Sequence, residues 1–457
     1  MRNSSWSGFG PGRGRRSLLA GVALAASLGV PSLSSAEEIF QANLGAFPVP
    51  GANALTSFDI SWVDTQLVNY FLADRSNAQI VSIPIEALAP TFTFNDPKNP
   101  FAGNVPAAQC ADGMANDCSG PNGVLSFFNT NGVIEVWAGD GPTLNSACQA
   151  TPCSTVRVFT TLAATPTAII NTGGHERSDE MCFDPKDHVM MVANDADTPP
   201  FVTFISTALD SSRFSILAKI SLPDAVGGIE QCAWNPQAGV FYLNTPLAAG
   251  GDQILIFNPT NFTHSVQKTV DPNECMALRG LDVRRDGQQL IVGCNAVGPN
   301  GQQNSLIINA NGTTAQVLRG AGGSDQVWSD KQSDHYFIAS GQLANGTAQL
   351  GIYDAFATQS NNPDPPNQDF GVIGSSVFLA FRGSTAFNVH SVAAFSGTVA
   401  GLPSTWTLAF VPIPAVGGTP APFSSTMCVG AFTTPARGCI GIVATSPERG
   451  LSEEASE

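Results

Sequence analysis

Four carboxylates, Asp59, Asp179, Glu230 and Asp325, each stand at the head of a short apolar segment. Arg279 and His390 head two more segments of the same kind, and Val124 heads a seventh. Six of these seven heads are ionisable, although charged residues make up only 12% of the chain. Acidic side chains that converge on one point repel one another unless something neutralises them. Oxygen donors suit a hard divalent cation such as Ca²⁺ or Mg²⁺. Asp59, Asp179, Glu230 and Asp325 are the expected ligands, with Asn194, Asn244 and Asn295 as neutral oxygens that follow the paired second segments. Arg279 opposes a fully metallated ring, because one guanidinium can satisfy two carboxylates.

The same residues allow proton transfer without a metal. In a closed ring of the seven units, His390 falls between Asp325 and Asp59. A carboxylate beside an imidazole fixes its tautomer and raises its basicity, which suits a general base. His175, in the glycine-hinged stretch GGHERSDE, is a second candidate, and Glu180 and Arg279 complete the catalytic set. His188, His264 and His335 fall at strand edges or turns and read as structural. No GxSxG elbow, HExxH, Walker loop, dinucleotide fingerprint or CxxCH site occurs, so nothing points to nucleotide, haem or flavin.

These residues need elements that position them. Helix signals are nearly absent. Apolar, β-branched and aromatic runs of five to eight residues recur between Gly, Pro, Asn and Asp clusters, the pattern of short antiparallel strands. Clear copies of one unit read DISWVDTQLVNYFLAD from Asp59, DEMCFDPKDHVMMVAN from Asp179, EQCAWNPQAGVFYLN from Glu230 and DQVWSDKQSDHYFIAS from Asp325. RGLDVRRDGQQLIVGCN from Arg279 and weaker copies from Val124 and His390 bring the count to seven. Asp64, Asn129, Asp184, Asn235, Arg284 and Asp330 mark the turn inside successive copies. The heads are 46 to 65 residues apart, close to a four-stranded propeller blade with loops, ~40–50 residues. The expected fold is all-β, a seven-bladed β-propeller, with six blades if the Val124 unit is an insertion. Closure requires both chain ends in one blade, since an open ring exposes sheet edges. Residues 38–44 (EIFQANL) are the expected closing strand, beside 406–412 and 438–444.

The repeats resemble secreted β-propellers of the lactonase, gluconolactonase and YVTN-repeat type, although the YVTN tetrapeptide is absent. That resemblance covers most of the chain and implies either enzymes (lactone hydrolases, lyases, cycloisomerases) or binding scaffolds. Gluconolactonase-like members hold a divalent metal at the channel mouth. The leading expectation is a hydrolase of lactones or esters, or a lyase or cycloisomerase, acting on a small organic substrate by acid–base or metal-assisted chemistry. The alternative is a noncatalytic propeller that binds a protein, glycan or cell-envelope ligand.

Composition sets the compartment. Residues 1–36 carry Arg2, Arg13, Arg15 and Arg16, no acid, an apolar stretch over 17–29 and a small-residue Ser34-Ser35-Ala36 end. This reads as a removable export signal, and Arg15-Arg16 admits the twin-arginine route. The propeller is expected over 37–446 and an acidic tail over 447–457. Without the signal, about 16 basic residues face 36 acidic ones, near −20, which excludes nonspecific nucleic-acid binding as a default. No long apolar run follows the signal, so no membrane span is expected. The chain is placed in the periplasm or secreted.

All ten cysteines follow the signal and include no CxxC, which suits disulfides in an oxidising compartment. Short spacings pair Cys110 with Cys118, Cys148 with Cys153 and Cys428 with Cys439. Cys275 and Cys294 flank one unit's two strands at the same mouth. Cys182 and Cys232 lie at offsets three and two in adjacent innermost strands, so alternation turns them toward each other. Both pairs are expected to close. The first two staples border the Val124 unit and are expected to wall the mouth.

Overall fold

The computed structural model describes residues 39–87, 92–110, 112–160, 163–301, 303–319, 321–341, 349–355, 372–377, 389–399, 406–415 and 437–447. The proposed signal, Cys428 and residues 448–457 of the acidic tail lie outside them.

Each blade is a four-stranded antiparallel sheet that winds outward from the axis. The innermost strands, β1 to β7 here, are β1 Ser61–Asp64, β2 Val124–Phe128, β3 Met181–Asp184, β4 Cys232–Asn235, β5 Leu278–Val283, β6 Ser324–Asp330 and β7 Ala393–Ser396. Each touches the next, and β7 touches β1, so the ring closes. The protein is therefore a seven-bladed β-propeller, and the Val124 unit is a full blade. The seventh blade takes its outermost strand from the other end of the chain: Ile39–Phe47 pairs antiparallel with Cys439–Pro447. The expected closing strand is in place, and the C-terminal strand runs through Pro447, one residue into the proposed tail.

Packing explains which segments read as continuously apolar. Second and third strands are covered on both faces by neighbouring blades, so Val189–Asn194 (VMMVAN) and Phe201–Ser206 (FVTFIS) are buried throughout. Outer strands face solvent on one side, and Ile216–Ser221 is mostly exposed. Between the third and fourth blades, Val202, Phe204, Phe241, Leu243 and Phe257 form one buried cluster.

The turn leaving the innermost strand is built by one acidic or amide side chain in five of the blades, at Asp64, Asn129, Asp184, Asn235 and Asp330. Asp64 Oδ1 accepts from the Gln66 and Leu67 amides at 2.9 and 2.8 Å. Asp184 Oδ1 accepts from Lys186 N at 2.8 Å, and Asn235 Oδ1 from Gln237 N at 3.0 Å. Asp330 Oδ2 accepts from Ser333 N at 2.7 Å. These are Asx turns, which spare a tight loop its unsatisfied amides. Three of them end in a left-handed residue other than glycine: Val68, His188 and Asp334, at φ of 55°, 56° and 60°.

Four disulfides join Cys110–Cys118, Cys148–Cys153, Cys182–Cys232 and Cys275–Cys294, four of the five expected pairs; the fifth, Cys428 with Cys439, reaches outside the described residues. Cys439 is also oxidised. Among the described residues no helix is long and apolar enough to cross a membrane.

Candidate active site at the channel mouth

The residues just before the innermost strands are held by one recurring backbone contact. Asp59 N donates to Ala73 O, Asp179 N to Ala193 O and Glu230 N to Asn244 O, at 2.8–2.9 Å. Each bond ties the head of an innermost strand to the end of its neighbour, so the three side chains share one height and point at one mouth. In the second blade Asn122 makes this bond, to Gly139 O at 2.9 Å. Val124 is therefore not that blade's mouth residue. It lies two residues further in and lines the opposite half of the channel. In the fifth and sixth blades, register shifts between Leu278/Leu281 and Ser324/Val327 bring Arg279 and Asp325 to the mouth.

A polar cavity of about 310 Å³ results, lined by Asp59, Asp179, Glu180, Glu230, Arg279, Asn295, Asp325 and His390 among others. Eight of the eleven sequence-selected site residues thus meet at one place. The other three do not line it. Asn194 donates to Thr203 Oγ1 at 3.1 Å within its own blade. Asn244 donates to the Arg279 and Gly280 carbonyls at 2.9 and 3.0 Å, latching the fourth blade to the fifth. The backbone N–H of His175 donates to Asp197 Oδ1 at 2.8 Å, outside the cavity wall.

Two more arginines complete the charge pattern: Arg75, which its place after a second strand assigns to the mouth, and Arg177, which the sequence reading did not select. Arg75, in the 3₁₀ turn after the second strand of blade one, pairs with Asp59 and donates to Asn122 Oδ1 at 2.9 Å and Asn116 Oδ1 at 2.6 Å. Asn116 belongs to the loop stapled by Cys110–Cys118, so that staple does help wall the mouth. Arg177 pairs with Asp179 at 2.8 Å and Asp195 at 2.5 Å. Its position two residues before a blade head was the available signal. Arg279 bridges Glu230 and Asp325, 3.1 Å from each.

Three guanidiniums thus pair with four of the five lining carboxylates, Asp59, Asp179, Glu230 and Asp325, and Arg177 also with Asp195, while Glu180 takes no arginine. Burial opposes the charge on Asp59, yet Arg75, with His390 and Arg177, holds its carboxyl well below the usual range. Burial pushes Glu230 the other way; it outweighs the attraction of Arg279 and is helped by repulsion from Asp325 and Asp195, so its carboxyl rises to about 8. Burial also raises Asp179 and Glu180 well above the ordinary carboxylate range. Asp179 Oδ1 has no hydrogen-bond partner, because Arg177 turns its two-pronged contact on Asp195.

His390 stacks flat on Phe58, with ring centroids 4.6 Å apart and planes 6° from parallel. Its Nε2 lies 3.8 Å from Asp59 Oδ1. One donor atom each from Asp59, Asp325 and His390 falls within 4.8 Å of the others. This cluster can hold and move a proton, and it offers two oxygens and a nitrogen to a cation.

One residue deeper, a second layer closes the mouth. Gln231 Oε1 accepts from Leu281 N at 2.8 Å, stitching blade four to blade five. Gln326 accepts from Val392 N at 3.2 Å and donates to Ser61 O at 2.7 Å. Glu180 holds the corresponding place in blade three, and its Oε2 has no partner.

No protein-family profile and no curated protein matches the chain. Among solved structures, it is similar to Kuenenia stuttgartiensis hydrazine synthase, with 14% identity over 67% of this chain and 79% of that one and a TM-score of 0.46. It is also similar to a luciferin-regenerating enzyme (10% identity, 67% and 89% covered, TM-score 0.42). The β-propeller domain of Myceliophteria thermophila Cps50 (Swd1) is a third such structure, at 12% identity, 66% and 84% covered, and TM-score 0.43.

Proposed function

We propose that the chain is an exported propeller hydrolase that opens small lactones or esters at the polar mouth by acid–base chemistry. One observation carries the reading. His390, set 3.8 Å from Asp59, and Glu230, whose carboxyl stays protonated to about pH 8, line one small cavity. A base and an acid facing one space are what carbonyl hydrolysis needs. His390 takes a proton from the attacking water, and Asp59 stabilises the imidazolium. Arg279, whose Nε has no hydrogen-bond partner, supplies a donor to the oxyanion. Glu230 gives its proton to the leaving oxygen, and His390 returns a proton through solvent. The same acid–base pair also suits a lyase or cycloisomerase, which the substrate panel distinguishes.

A second reading rests on the convergence of Asp59, Asp325 and His390. A divalent cation held there would polarise the carbonyl, in competition with Arg75 and Arg279 for the two carboxylates.

The test is hydrolysis of γ- and δ-lactones and aryl esters by purified protein, with and without chelator. His390→Gln is expected to lower kcat by about 10²–10⁴-fold, the usual worth of a general base, with Tm nearly unchanged. Chelator-sensitive turnover would favour the second reading. A wild-type protein inert on the whole panel would discard the hydrolase.

A further inference from the structure

The larger cavity lies at the other end of the channel. It measures about 740 Å³ and is bordered by Thr65, Pro185, Pro236 and Lys331 of the turns leaving the innermost strands. Those turns sit at the strand ends opposite Asp59 and His390, so the space opens away from the polar mouth. Its wall is aromatic: Trp62, Phe127, Phe183, Trp234 and Trp328 come from the innermost strands of five blades. Phe127 stacks on Phe183 at 3.8 Å, and Trp62 meets Trp328 edge-on at 5.2 Å. These contacts make the wall a set of fixed, flat apolar surfaces.

Two of these wall residues, Trp62 and Trp234, carry a buried indole N–H that has no hydrogen-bond partner. Buried indole nitrogens usually find an acceptor, and leaving one unsatisfied is unfavourable. At the inner end stands Glu180, shared with the polar mouth. Its Oε2 has no hydrogen-bond partner. Lys331 is spent at the rim, on Asp282 Oδ1 at 3.1 Å and on Val283 O. An apolar space of this size, with the two unpaired indole donors and no free charge from Lys331, has the make-up of a small-molecule site, typically ~300–1,000 Å³.

We infer that the aromatic half of the channel is a second binding site, for a flat, neutral, aromatic molecule that carries a carbonyl-type acceptor. The flat walls select the ring system, and the unpaired indole donors select the acceptor. The inference does not depend on hydrolysis at the mouth.

The test uses prodan, a neutral naphthyl ketone whose emission shifts to the blue in apolar surroundings. Saturable 1:1 binding with a blue shift and quenching of tryptophan fluorescence is expected. Trp234→Phe keeps a ring but removes the N–H, and should weaken binding about 3- to 10-fold, the worth of one hydrogen bond. Phe183→Asp, checked for folding by circular dichroism, should abolish binding, whereas His390→Gln at the other mouth should leave it unchanged. Absence of saturable binding to the wild type would overturn the inference. So would undiminished affinity in Trp234→Phe together with folded Phe183→Asp, or loss of binding in His390→Gln.

Discussion

Glu230 makes an unusual pH dependence measurable. Its carboxyl titrates at about 8 in the folded protein against an ordinary 4.5, and its side chain is only 10% exposed. The sign follows from proton binding: between pH 4.5 and 8 the folded state holds a proton that the unfolded state has released. Stability must therefore fall as pH rises through that window, and level off above it. Each pH unit is worth about 1.4 kcal/mol, so a gap of about 3.5 units sets a ceiling near 5 kcal/mol. Relaxation and water entry on ionisation reduce this to roughly 3–4 kcal/mol. Unfolding entropy of ~2.1 cal/mol/K per residue over 457 residues is roughly 1 kcal/mol per degree, so Tm should drop about 3–4 °C from pH 5 to pH 8.5. Asp179 and Glu180, also raised by burial, act with the same sign. Asp59, held low, has already ionised in both states at pH 5 and adds no slope. The perturbation is Glu230→Gln, which mimics the protonated acid. The mutant should match the wild type at pH 5 and melt higher than it at pH 8.5. Calorimetry across this range decides the matter: parallel pH profiles for wild type and mutant would show that Glu230 is ionised throughout and cannot serve as the proposed acid.

Further outcomes follow from other parts of the molecule. Replacing Cys182 and Cys232 together with alanine opens a 50-residue loop and should cost about 4 kcal/mol in denaturant unfolding by the chain-entropy relation; a loss under 1 kcal/mol would mean the blades are held without the staple. His188 ends an Asx turn at φ 56°, so His188→Gly should stabilise by about 1 kcal/mol, read as a raised denaturation midpoint. If the Asp59–Asp325–His390 cluster binds a cation, calcium, magnesium or manganese at a hundredfold excess over Kd should stabilise by about 2.7 kcal/mol, and Asp325→Asn should diminish it. An unchanged melting curve with and without each metal would remove the cation from the mouth. In the proposed hydrolysis, Glu230→Gln should abolish the fall in rate above about pH 8 along with most of the turnover.

Much of the architecture was legible in one dimension because a propeller repeats its instructions locally. Asp64, Asp184, Asn235 and Asp330 announce a turn within three residues of themselves, and strand alternation places Cys182 against Cys232. A polar residue at one offset from each turn also reveals the mouth, which is why Asp59, Asp179 and Glu230 could be picked out before their heights were known. Local pattern is weaker where register shifts. Val124 matches the repeat by hydropathy, but the backbone bond from Asn122 to Gly139 sets the height in that blade. The partnerships across the axis needed the tertiary structure. Arg279 meets Glu230 and Asp325 from positions 49 and 46 residues away, and which carboxylates Arg75 and Arg177 neutralise depends on side-chain reach around a closed ring. Proton affinities belong to the same class, since burial and neighbouring charge are properties of the assembled mouth. The aromatic cavity does too: Trp62 and Trp234 each read as ordinary core in their own strand, and only closure of seven blades leaves a space between them.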